Sequence, residues 1–276
     1  MTDLSSLSPA AGALVRRVID AAKGERRVVG LALGGSAVVS GIDQFSDLDF
    51  VVVCRPEDQA SLLSDARQFA ARVGHLLASF TGEHIGEPRL LVCLYGPPLQ
   101  HVDLKVVSIS DLALRVEDGI VIWEREPGTL GKAMDETSAV WPQPDLQWIE
   151  DRFWVWIHYA AGRLGRGELF ECLDAMAYFR SAIFGPILAV QHGARPQGVR
   201  RLEQYAGDAL EELEDTVGDR TPQGCLVALR ASIGLYRRLR DAAEDDTLVR
   251  RSEAEAASVE YLDQIAAGIS DQPLTH

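Results

Sequence analysis

The stretch "GGSAVVSGIDQFSDLDFVVV", Gly34 to Val53, decides how this chain is read. An apolar run, "RRVVGLALGG", leads into it and ends in two glycines. A second, "DLDFVVV", leaves it, and both carry the valines that favour strands. The glycines let the backbone bend sharply and come close to a ligand. With Ser36 they make either a tight surface turn or a cradle whose amides and hydroxyl hold a phosphate. Other glycine motifs fail. A P-loop needs lysine where Ser36 stands, a nucleophile elbow needs glycine where Val38 stands, and no GxGxxG occurs.

Residues two apart on a strand share a face, so Asp47 and Asp49 project together while Leu48 and Phe50 face the core. Two adjacent carboxylates repel, and each is costly to leave unpaired. Either they are solvated charges at a strand end or a divalent cation relieves them; Mg²⁺ prefers carboxylate oxygens together with substrate phosphates. A third acid lies in "HVDLKVV", where Val102, Leu104 and Val106 share one face and His101, Asp103 and Lys105 the other. A charge in the middle of an apolar strand calls for a partner. That partner is a salt bridge to Lys105 or an arginine, or the first two aspartates across a neighbouring strand. Three converging carboxylates can hold two metal ions for in-line phosphoryl transfer.

Working outward, Ser8-Pro9 starts a helix that Gly24 stops. The spacing of Leu62, Leu63, Ala66, Phe69, Ala70, Val73, Leu76, Leu77 and Phe80 predicts one long helix after the second strand. "RLLVCLY", "HVDLKVVSI" and "GIVIWE" read as strands. Pro142 and Pro144 in "WPQPDLQW" mark a domain boundary, beyond which nothing reads as strand. Helices are expected over about 146–165, 168–191 with a kink at Pro186, 199–215, 222–243 and 250–268. The expected fold is α+β, a mixed sheet with flanking helices over residues 1–140 and a C-terminal helical bundle over 141–276.

The chain has 276 residues and a net charge of −14. So acidic a surface makes nucleic acid a poor partner and attracts cations. No apolar stretch reads as a bilayer span, and the start has no basic segment before an apolar one, so no signal peptide is expected. Cys54, Cys93, Cys172 and Cys225 are scattered and read as free thiols in the cytoplasm.

The pattern of Gly35-Ser36, ten residues, Asp47-x-Asp49, and then Asp103 on a later strand resembles the polymerase-beta-type nucleotidyltransferase superfamily. Within it, the chain is similar to the bacterial aminoglycoside and lincosamide adenylyltransferases, over roughly residues 28–108. The resemblance implies that Gly34, Gly35 and Ser36 hold nucleotide phosphates and that Asp47, Asp49 and Asp103 bind Mg²⁺, two ions in all. It implies ATP as co-substrate and transfer of AMP to a hydroxyl of a small molecule, with loss of pyrophosphate. A general base at the edge of the helical half is one of Glu150, Asp151, Glu168, Glu171 or Asp174. Other readings of the same pattern are an enzyme that nucleotidylates a protein, and a regulator or antitoxin-type partner that binds nucleotide without turnover. The chain is a monomer or a homodimer.

In the helical half, Arg180 falls on the apolar stripe of Leu169, Leu173, Met176, Ile183, Ile187 and Val190. It either reaches nucleotide phosphates or forms a buried ion pair with an acid of a neighbouring helix. Asp151, Trp154, His158 and Tyr159 form either one wall of an acceptor pocket or a second packing face. His75, His84, His101 and His192 show no ligand spacing and carry no assigned role.

Overall fold

The computed structural model describes residues 7–35, 43, 45–243 and 246–270. The chain divides into two compact units, Met1–Trp141 and Pro142–His276. The architecture is α+β, with every described strand in the first unit.

The first unit opens with helix α1, Pro9–Gly24, whose Ser8 side chain accepts from the Ala11 amide. Strands β1 (Val28–Leu33) and β2 (Leu48–Cys54) flank the decisive stretch. Helices α2 (Gln59–Ser64) and α3 (Ala66–Val73) follow. Then come β3 (Leu76–Gly82), β4 (Glu87–Tyr95), β5 (Gln100–Ser108), a 3-10 helix (Ile109–Leu114), β6 (Ile120–Glu124) and α4 (Thr129–Asp135). The sheet order is β3-β4-β5-β2-β1-β6. β2 and β5 run parallel, and the other neighbours are antiparallel. One face packs Phe50, Val52, Leu104 and Val106 against Leu14, Val18, Phe69 and Val73 of α1 and α3. The opposite face is covered in part by Leu112 and Leu130, over Val53 and Val107.

The long helix expected across Leu62 to Phe80 is corrected. It breaks at Asp65 and ends at Val73, and Leu76–Gly82 is the edge strand β3. Leu76 pairs with Tyr95 and Phe80 with Val92 of β4. The helical spacing of Leu76, Leu77 and Phe80 is overridden by this pairing, as sheet context commonly overrides local pattern.

The second unit contains helices and no strand among its described residues. Its helices are α5 (Leu146–Gly165), α6 (Leu169–Phe179), α7 (Gly185–Gln191), α8 (Leu202–Tyr205), α9 (Ala209–Asp215), α10 (Pro222–Ala242) and α11 (Ser252–Ser270). A π-helical turn, Arg180–Phe184, joins α6 to α7 immediately before Pro186. Pro186 has no amide to donate to the turn before it, which favours such an irregularity there. Within the run Leu169–Gln191 an 18-residue window has a mean hydropathy of 1.3, so the run is long and apolar enough to cross a membrane by length and composition. That corrects the expectation that no stretch is. Its buried positions, among them Cys172, Met176, Phe179, Ile183 and Ile187, belong to the second core, which accounts for the composition.

That core centres on Phe153, Trp154 and Tyr236, with the Phe153 and Tyr236 rings 4.0 Å apart. Glu150 lies fully buried beside them. It accepts from the Tyr236 hydroxyl at 2.7 Å, the Arg251 amide at 2.9 Å, the Trp154 indole at 3.2 Å and Arg240 Nη1 at 3.3 Å. Burial pushes its carboxyl up, but these donors outweigh it and hold the group below the usual carboxylate range.

Gly185 gives this unit a tight point. A Cβ there would stand 2.1 Å from the Gly198 carbonyl oxygen, which is backbone and cannot step aside. Gly185→Ala should therefore cost about 2 kcal/mol, measured as a lowered denaturation midpoint with an unchanged m-value.

Candidate active site

The parallel pairing of β2 with β5 sets Asp49 against Asp103 as neighbours in the sheet. Both point to the face away from α1 and α3, because Leu48, Phe50, Val102 and Leu104 on either side of them take the core face. Asp47 stands one step before β2. Single carboxylate oxygens of Asp47, Asp49 and Asp103 lie within 4.8 Å of one another, and each residue is half-buried. The three candidate acids of the sequence therefore converge.

Asp103 is an acid under stress. Its Oδ1 is buried and accepts no aligned hydrogen bond, although His101 Nε2 stands 3.1 Å away. Burial pushes its carboxyl up and Asp47 adds to the push, while His101 opposes it. Lys105 is not its partner. That lysine, two residues along the same strand face, binds Glu87 at 2.7 Å. His101, left without a role in the sequence reading, stands against the cluster, with Nδ1 4.0 Å from Asp47. The signal for it was its place on the same strand face as Asp103.

The glycines bind differently from a plain phosphate cradle. The Gly34 amide donates to the Asp49 backbone carbonyl at 2.9 Å and is consumed in extending the sheet. Gly35 takes a left-handed φ of +58°, and its amide donates to the Glu117 carboxylate at 2.6 Å. A Cβ on Gly35 would lie 1.8 Å from Asp49 Oδ2, so only glycine allows the turn to sit on that carboxylate. Ser36 lies outside the described residues. Glu117, from the loop before β6, went unnoticed in the sequence, since nothing near it in the chain marks it.

In the second unit Arg180 is half-buried, and burial pulls its pKa down. Its Nη1 donates to the Thr216 carbonyl at 2.7 Å. Of the two partners considered for it, nucleotide phosphates and an acid of a neighbouring helix, the second is not what the charge meets among the described residues, where a backbone oxygen at a helix end accepts from it. Trp154 is buried in the core and so lines no open wall. His158 stacks on Tyr261, and Tyr159 donates to Glu171. Of the acids considered as a base, Glu150 is enclosed by donors, Asp151 pairs with Arg251 at 2.7 Å and Glu168 with Arg163 at 2.7 Å.

An aminoglycoside 6-adenyltransferase from Bacillus subtilis is a solved structure similar to this chain, at 14% identity over 92% of this chain and 97% of that one, with a TM-score of 0.37. No protein-family model matches the chain, and no curated protein sequence matches it.

The electrostatics of Asp103 give a signed test. Its raised proton affinity in the folded state means that its ionised form opposes folding. The penalty is absent in acid and grows as pH rises through the carboxylate range toward the raised folded value. Asp103→Asn should then stabilise the metal-free protein by about 1 kcal/mol at pH 7 and not at all at low pH, where wild type is also protonated. Denaturant titrations of both proteins across pH read the difference directly.

Proposed function

We propose that the chain is a divalent-metal-dependent nucleotidyltransferase that moves AMP from ATP to a hydroxyl of a small molecule and releases pyrophosphate. The observation that carries this reading is the convergence of Asp47, Asp49 and Asp103, with the buried Asp103 Oδ1 left without an aligned donor. An all-carboxylate donor set, crowded together, is the chemistry that a hard ion such as Mg²⁺ satisfies. Asp47, Asp49 and Asp103 would hold it. When bound, Mg²⁺ supplies neutralising charge for the phosphates and the leaving pyrophosphate.

The chain's own groups do the rest. Gly35, held left-handed, offers a backbone N–H suited to a phosphate oxygen. The acceptor oxygen bonds to the α-phosphorus as the bond to the β-phosphate oxygen breaks. Asp103, whose burial favours the protonated form, is the group suited to take the hydroxyl proton. His101, 3.1 Å from it, orients that carboxylate. The chain's −14 charge suits a cationic acceptor, for which an aminoglycoside is a fitting class. Four buried free thiols suit the cytoplasm.

Pyrophosphate release is the direct assay, with Mg²⁺, each nucleoside triphosphate, and a panel of aminoglycosides and lincosamides. Release should depend on one acceptor class and on ATP. Asp47→Asn and Asp49→Asn should each lower it by about a hundredfold or more, the scale of losing metal stabilisation of a phosphoryl-transfer transition state. Normal turnover by either variant would remove the metal assignment, and silence across the whole panel would remove the small-molecule acceptor.

A further inference from the structure

Glu117 holds a position that the proposed reaction needs for something else. Its Oε1 accepts from the Gly35 amide at 2.6 Å, a charge-assisted hydrogen bond across 82 residues of chain. The same oxygen would stand 2.8 Å from a Cβ on Gly34, so the carboxylate sits over both glycines. The Gly34 amide is already bound to Asp49 O, which leaves Gly35 as the one described amide of the turn that meets an anion. An N–H that binds a carboxylate at that distance is the donor a phosphate oxygen would take. One such donor cannot serve both anions in full.

The surroundings give the carboxylate somewhere to go. Glu117 also lines a cavity of 290 Å³ on the same face of the sheet as the aspartates. Its floor includes Ala32 and Val51, paired across β1 and β2 one same-face step beyond Gly34 and Asp49. Lys105 and Arg89 stand on its wall, both paired with Glu87, which lines it too together with Asp111. A carboxylate leaving Gly35 thus has open volume beside it.

We propose that Glu117 is a built-in competitor for the phosphate seat of the glycine turn, displaced into the adjoining cavity when a phosphate chain binds. It rests on the nucleotidyltransferase reading for its ligand and adds to it a threshold. A lone weakly held anion does not displace the carboxylate, whereas a phosphate chain anchored by metal at the aspartates does.

The test is calorimetric titration of the full chain with magnesium pyrophosphate and magnesium ATP, in wild type, Glu117→Ala and Glu117→Gln. Glu117→Ala should bind both about tenfold more tightly, the scale of one charge-assisted hydrogen bond no longer competed for. Glu117→Gln should gain less, because an amide oxygen still accepts from Gly35. Asp118→Asn removes the same charge from the same loop without touching Gly35, and should change affinity by no more than about twofold, as expected for an exposed charge. Unchanged or weaker binding in both Glu117 variants overturns the competitor, and so does an equal gain in Asp118→Asn, which would make the effect one of net charge. If wild type binds magnesium pyrophosphate only with Asp47 and Asp49 intact and Glu117→Ala gains nothing, the competitor falls and the nucleotidyltransferase reading stands. If Glu117→Ala gains affinity while wild type releases no pyrophosphate from any nucleotide, the seat stands and the catalytic reading falls.

Discussion

The first unit is organised around one uncomfortable pairing: two carboxylates set side by side on parallel strands. β2 and β5 align so that Asp49 faces Asp103, and the sheet cannot relieve this without losing the core beneath it. A slip of one residue would turn Phe50 and Leu104 outward and drive the aspartates into α1 and α3. The hydrophobic face therefore fixes the acids where they repel. Folding tolerates the repulsion because the apolar burial beneath outweighs it.

Much of this was legible in the sequence. Period-two spacing put Asp47 and Asp49 on one face, and an acid in the middle of an apolar strand singled out Asp103. The junction of the two units falls beside Pro142, where the paired prolines of "WPQP" stand. What failed did so for identifiable reasons. Leu76, Leu77 and Phe80 continue a helical spacing by coincidence, and only pairing with β4 makes them strand. Arg180 reads as a charge in need of a phosphate or an acid because the sequence does not reveal that a helix-end carbonyl, that of Thr216, will stand beside it. Glu117 was invisible because its significance depends wholly on Gly35, which reaches it through the fold and not along the chain.

The second unit handles its acids in the opposite way. Glu150 is more deeply buried than any of the three aspartates, yet it is surrounded by donors from Tyr236, Trp154, Arg240 and the Arg251 amide. A buried carboxylate so satisfied specifies a packing arrangement, since removing a donor leaves a charge without compensation. The contrast is informative within one chain: the Glu150 carboxylate is supplied with four donors, whereas Asp103 Oδ1 is buried with none aligned on it. Strain at Asp103 and satisfaction at Glu150 come from the same rules of burial applied to different surroundings.

The bond between Gly35 and Glu117 also has a consequence for how the protein comes into being. It joins residues 82 apart, and the Asp49–Asp103 pairing likewise waits on a long crossover. Closing such loops costs entropy before any contact repays it, so distant parallel pairings tend to form late in folding. During synthesis on the ribosome, a nascent chain that ends before Glu117 owns both glycines and all three aspartates but not this distant carboxylate. The Gly35 amide thus gains its carboxylate partner only after the loop before β6 has been made.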